Sequence, residues 1–333
     1  MQPVRILVIG GTSFVGRHLV GRALAAGHQM TLFNRGLTGP GLFPEAEHLR
    51  GDRDGGLAPL QGRSWDAAVD TCGYVPRVVG DSARLLAGAV DRYLFVSTLS
   101  VHPDEVEVGA DEDAPLVGLP ADGVEDVTDV TYGPLKVACE RVVASSFADR
   151  ALIVRPGLIV GPHDPTDRFT YWVRRVAAGG EVLAPAPPEG LVQFIDVRDL
   201  AGFLLAHLEA RTVGVFSAIA PPVPLGDLLQ VCRSVSGSDA SPTWVPEPFL
   251  RGQGVEPWSD LPLWLPDLPG TNAFDPGRAM AAGLTPRATE ETVRDTLTWD
   301  RTRQQSRPLE AGLDRERELD VLAAFHRSEE ARP

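Results

Sequence analysis

The sequence predicts an α/β fold, a doubly wound parallel sheet with crossover helices followed by a smaller, irregular α/β portion. Three observations predict it. Short apolar runs alternate with helical patterns through the first half of the chain. The runs are rich in Val, Ile, Leu and Ala, which suits strands buried on both faces. A glycine-rich turn, Gly10-Gly11-Thr12-Ser13-Phe14-Val15-Gly16, joins the first run directly to a helical pattern. In chain order, strands are expected at residues 4–9, 29–33, 67–70, 92–97 and 151–154. Helices are expected at 14–26, 76–87 and 132–147. Pro134 is expected in the first turn of the last of these, where a missing N–H costs little. After Arg155 the pattern loosens, Pro and Gly become frequent, and Trp244, Trp258 and Trp264 cluster. Residues 192–197 and 214–219 read as returns to the sheet, and residues 314–326 as a terminal helix with a solvated outer face.

A chain of 333 residues, 43% hydrophobic and 23% charged, has the balance of an ordinary globular protein. No apolar stretch is long enough for a signal-peptide core or a membrane span. Cys72, Cys139 and Cys232 are odd in number and widely spaced, with neither metal-ligand nor disulfide spacing, so the expectation is a cytoplasmic protein without a metal. Residues 103–130 hold ten carboxylates and no cation, so that segment supplies −10 of the net −14. With no basic stripe, nucleic acid is excluded as a partner. A long connection of this kind is expected to be a lid or a linker.

In the glycine turn, Gly10 and Gly16 permit the tight bend and close helix–strand packing. The free N–H groups of Thr12 to Val15 at the helix start can then face a pyrophosphate. Ser13 stands where the usual middle glycine would be, and its hydroxyl adds a donor. Asn34 and Arg35 follow the second strand, where an NAD-selective site would often carry a carboxylate. The Arg35 fork suits a 2′-phosphate, so NADP(H) is favoured and NAD(H) is the alternative. Asp52 closes the next strand-like element and could accept from an adenine amine.

Of the 31 basic side chains, Lys136 alone is lysine. It stands four residues after Tyr132, so the two share a helix face. The ammonium is expected to lower the phenol from its reference of about 10 towards working pH. Thr98 follows the strand at 92–97 and stands at the carboxyl end of the sheet, where ligands of such sheets bind.

Together, Gly10-x-x-Ser13-x-x-Gly16, Ser97-Thr98-Leu99-Ser100-Val101 and Tyr132-x-x-x-Lys136 resemble the extended short-chain dehydrogenase/reductase family, most closely its epimerase/dehydratase branch. The stretches from Arg155 to Pro162 and from Phe194 to Ala201 fit the same pattern. The resemblance implies a Rossmann-like dinucleotide-binding unit over residues 1–165, with returning segments near 191–220, and a mainly substrate-binding portion over 166–333. It further implies that Tyr132 exchanges a proton with the substrate oxygen, that Lys136 holds the nicotinamide ribose, and that Thr98 replaces a commoner serine. Pro156 joins the expected cofactor contacts, and a homodimer through the helices near Pro76 and Tyr132 is implied as well.

Departures narrow the chemistry. Sugar-nucleotide dehydratases of the family place an Asp-Glu pair where Leu99-Ser100 stand here. No second lysine is present to act as an extra base, and Cys72 remains to be tested in that role. The expectation is hydride transfer at a carbonyl or secondary alcohol of a small polar metabolite. Redox-neutral epimerisation of a sugar or sugar nucleotide is the alternative, and a non-catalytic binding or regulatory protein on a cofactor fold is another. Candidate substrate contacts are Tyr74, Arg168, Trp172 and Gln193, with Tyr171 beside them. The acidic loop is a candidate lid, and its carboxylates would disfavour a polyanion.

Overall fold

The computed structural model describes residues 3–303 and 308–331. The first half runs β1 (Arg5–Ile9), α1 (Phe14–Ala25), β2 (Gln29–Asn34), β3 (Glu47–Arg50), β4 (Trp65–Asp70), α2 (Pro76–Leu86), β5 (Val90–Val96), α3 (Asp129–Phe147) and β6 (Ala151–Pro156). Then come β7 (Ile159–Val160), α4 (Arg168–Ala177), β8 (Glu181–Pro185), β9 (Leu191–Val192), β10 (Ile195–Asp196), α5 (Val197–Glu209) and β11 (Gly214–Ala218). The remainder holds β12 (Val223–Pro224), α6 (Leu225–Ser236), β13 (Ser241–Val245), α7 (Glu247–Gly252), α8 (Gly277–Ala281), α9 (Thr289–Asp300) and α10 (Arg315–Glu330).

Seven parallel strands form the main sheet in the order β11-β6-β5-β4-β1-β2-β3. The fold is Rossmann-like. The strand order reverses between β1 and β4, which opens a crevice beyond their carboxyl ends. On one face α1 and α5 bury Leu19, Val20, Leu200 and Leu204 against Val8 and Val69. On the other, α2 and α3 bury Val79, Ala83, Val143 and Phe147 against Tyr93 and Phe95. A separate core around Phe169, Trp172, Leu183, Leu228 and Val293 holds the later elements together. Among the described residues no helix is long and apolar enough to cross a membrane.

Several expectations need correction. Residues 192–197 do not join the main sheet: β9 and β10 are two-residue strands that pair with β12 and β7. Residues 214–218 do join it, as β11 alongside β6. Helix α3 begins at Asp129, ahead of the expected start, because Thr128 and Thr131 form a capping box with Thr128 Oγ1 accepting from the Thr131 N–H at 3.2 Å. Pro134 therefore sits in the second turn of α3.

The acidic segment is less free than a lid. Val106 packs with Leu99, Ile219 and Phe274. Glu112 is buried, accepts from the Ser217 N–H at 2.6 Å, and lies 3.2 Å from the Arg278 guanidinium. The Val117 N–H donates to the Val101 carbonyl. Beyond Val117 the segment is mostly exposed, and Arg77 ties its Glu125 to Asp54 through bonds of 2.7 to 3.0 Å.

Candidate active site

One cavity of about 1580 Å³ opens at the carboxyl ends of β1, β4 and β5, ample for a dinucleotide and a small molecule together. Its lining includes the whole turn from Gly10 to Gly16, together with Thr98, Tyr132, Lys136 and Pro156.

The glycine turn is shaped for close approach. A Cβ on Gly16 would lie 2.7 Å from the Gly11 Cα, so α1 presses directly on the turn. Ser13, the N-cap of α1, makes no side-chain capping bond, and the first turn has no carboxylate. The first N–H groups of α1 thus stay available to an anion. These residues fit a dinucleotide pyrophosphate.

Asn34 ends β2 and lines the cavity. Its amide nitrogen donates to the Gly10 carbonyl at 2.9 Å, and its oxygen accepts from the Gly36 N–H and from Arg50. It ties the glycine turn to the loop after β2 and leaves its oxygen occupied. Arg35, exposed and lining the cavity, has no bonded partner among the described residues. Arg50, which sequence reasoning overlooked, gives that loop a second guanidinium. Asp52 lines the cavity, and its Oδ1 accepts from the Asp54 N–H at 3.0 Å. Beside it, Arg53 makes a bidentate pair with buried Asp70 at 2.8 Å and donates to Ser82. Burial alone would raise the Asp70 carboxyl, yet Arg53 holds it below the usual range.

Three elements bring the catalytic candidates together. Thr98 follows β5, and its Oγ1 accepts from the Ser100 N–H at 3.1 Å. Helix α3 lies tight against the turn after Thr98: a Cβ on Gly133 would stand 2.2 Å from the Ser100 carbonyl oxygen. That contact sets Tyr132 at the cavity wall next to Thr98. Lys136 is buried, donates to the carbonyls of Gly73 and Val96 at 2.8 Å each, and lies 4.2 Å from the centre of the Phe95 ring. An ammonium has three donors, so one remains.

The electrostatics differ from expectation. Burial raises the Tyr132 phenol, and a hydrogen bond with Thr98 only partly offsets it. The phenol therefore keeps its proton at neutral pH instead of being drawn towards phenolate by Lys136. Burial also lowers Lys136 to about 8. Cys72 is pushed up to about 11 by burial and lies against the Ile9 carbonyl, so it is ill suited to serve as a base. Tyr74 is half exposed, with its ring centre 6.4 Å from that of Tyr132.

Among the substrate candidates, Arg168 and Gln193 line the cavity with Tyr74, but Tyr171 and Trp172 do not. Trp172 is fully buried in the later core, and its indole N–H donates to the Pro262 carbonyl, so its expected contact with a substrate is withdrawn. Gln193 is committed to protein: it donates to the carbonyls of Ala220 and Phe274 and accepts from the Phe274 N–H. It positions the cavity wall at Phe274. Sequence reasoning missed Ser100, Asp164, Leu265, Leu268 and Asn272, all of which line the cavity. Asp164 is the most distinctive of them. It is buried, with one oxygen accepting from Thr166 and the other unpartnered, and burial lifts it to about 6. The polar turn from Gly161 to Arg168 was the only signal for it. Among the described residues no His, Cys, Asp and Glu cluster is arranged to hold a metal.

Residues 75–217 match the model of the NAD dependent epimerase/dehydratase family. The chain is 27% identical over 278 residues to an isoflavone reductase homolog of Zea mays, covering 78% of this chain and 82% of that protein. It is 27% identical over 264 residues to the 2'-dehydrokanamycin reductase of Streptomyces kanamyceticus, covering 75% and 72%. An epimerase family protein of Bos taurus is 26% identical, over 76% of this chain and 86% of its own length. Among solved structures, the UDP-glucuronic acid 4-epimerase from Bacillus cereus in complex with NAD shares the fold. Its TM-score is 0.66 at 15% identity, and the match covers 89% of this chain and 98% of that one.

Proposed function

We propose that the chain, whose residues 75–217 match the NAD dependent epimerase/dehydratase family model, is an oxidoreductase acting at a carbonyl or secondary-alcohol carbon, with NADP(H) preferred over NAD(H). The observation that carries this reading is the meeting of Thr98, Tyr132 and Lys136 with the glycine turn around a single cavity. The first N–H groups of α1 would hold the pyrophosphate, and the remaining donor of Lys136 would hold the nicotinamide ribose. Arg35 and Arg50 would flank a 2′-phosphate. When bound, the nicotinamide supplies or takes the hydride.

Tyr132 handles the accompanying proton. Its burial keeps the phenol protonated, which suits an acid that delivers a proton to the carbonyl oxygen as the alcohol forms. The Thr98 hydroxyl holds the same oxygen. In that protonation state the pair is set up for carbonyl reduction. A homodimer through α2 and α3 is part of the same reading, as the family resemblance implies.

The test is a panel of carbonyl compounds followed by NADPH absorbance. Loss of signal is expected. A constant signal with inverted stereochemistry would point instead to redox-neutral epimerisation. Tyr132→Phe should lower turnover ~10²–10⁴-fold with cofactor affinity unchanged; full turnover by that variant would refute the role of the phenol.

A further inference from the structure

Val117, Trp258, Leu265, Leu268 and Phe274 give the cavity an apolar stretch of wall, with Thr271 and Asn272 among them. Arg168 lines the same cavity. The guanidinium carbon of Arg168 lies over the Trp258 ring, 4.9 Å from its centre, within cation–π range. No hydrogen bond or ion pair occupies Arg168 among the described residues, and of its nitrogens only Nε is sealed from the surface. Its terminal nitrogens are therefore open donors. Trp258 adopts φ 66°, a costly conformation for a bulky residue that persists only where its surroundings impose it.

The remaining cations lining the cavity are Arg35 and Arg53 beside the glycine turn, and Lys136 with two donors already spent. Asp104, Asp129 and Asp164 line the cavity too. A nucleoside diphosphate would bring at least two negative charges to a wall with one guanidinium and nearby carboxylates, and like charges at close quarters oppose binding. A single anion on an apolar body meets less of that repulsion.

We propose that this wall takes a ring-sized apolar molecule bearing one anionic group, with the anion on Arg168 and the body against Trp258 and Leu265. This departs from the expected small polar metabolite, and it rests on the oxidoreductase reading in treating the wall as the substrate side.

Calorimetric titration of the NADP⁺-loaded protein with 2-naphthoate, its neutral isostere 2-naphthamide, and UDP tests the proposal. The acid should bind about tenfold tighter than the amide and tighter than UDP. Arg168→Gln should reduce the acid to the affinity of the amide and leave the amide unchanged. Equal affinity for acid and amide in the unaltered protein, tightest binding by UDP, or an acid preference surviving in Arg168→Gln would each overturn it. The comparison within the unaltered protein holds whether or not the variant folds. Binding needs no turnover: a carbonyl panel without NADPH consumption would sink the oxidoreductase reading and leave these affinities as they are.

Discussion

The glycine-turn end of the cavity and its Trp258 end are built by different means. At the first end, a strand, a turn and a helix contiguous in sequence make the cradle, and short ties from Asn34 to Gly10 and from Arg53 to Asp70 brace it. At the second end, the wall is assembled from segments far apart in the chain, around residues 117, 164–168, 258–268 and 271–274. Long-range bonds hold that wall in place. Gln193 fastens Phe274 from 81 residues away, and Arg278 reaches back to Glu112 in the acidic segment. The difference teaches that the glycine-turn cradle is a local unit, whereas the recognition end depends on contacts between distant segments.

The largest expected effect that could break this contrast is at Gln193. Gln193→Leu strips partners from the Phe274 N–H and from the carbonyls of Ala220 and Phe274, and should cost about 3 kcal/mol in denaturant unfolding. NADPH affinity, read by fluorescence titration, should stay the same; a matching loss of cofactor binding would mean that the two ends are one unit. A smaller effect belongs to the cradle. Arg35→Ala should leave stability unchanged and remove the NADPH preference over NADH, a loss of about tenfold. Unchanged selectivity would transfer the role to Arg50 or to neither.

What the sequence disclosed follows the same division. The cradle, the strand ends and the Tyr132–Lys136 pair were legible because each rests on a local pattern: apolar runs, glycines at fixed offsets, and helical spacing. The edge strand β3 was legible only as a strand-like element before Asp52, without bounds, because its side chains are half exposed and mostly polar. Trp172 was misread because a tryptophan in an irregular region gives no sign of whether it faces a cavity or a core. The commitment of Gln193, the burial of Glu112 and the unpartnered oxygen of Asp164 depend on contacts between distant segments, which no local pattern encodes. The proton affinity of Tyr132 was misjudged for a related reason: spacing reports the lysine four residues on but not the desolvation that raises the phenol.

Label transfer tests the central claim most directly. NADPH carrying deuterium at C4, on either face of the nicotinamide, is supplied with a carbonyl compound that the protein turns over, and the product is examined by mass spectrometry. The account predicts deuterium at the new carbinol carbon from one face alone, and almost no labelled product with Tyr132→Phe. A product alcohol without deuterium from either face would contradict it.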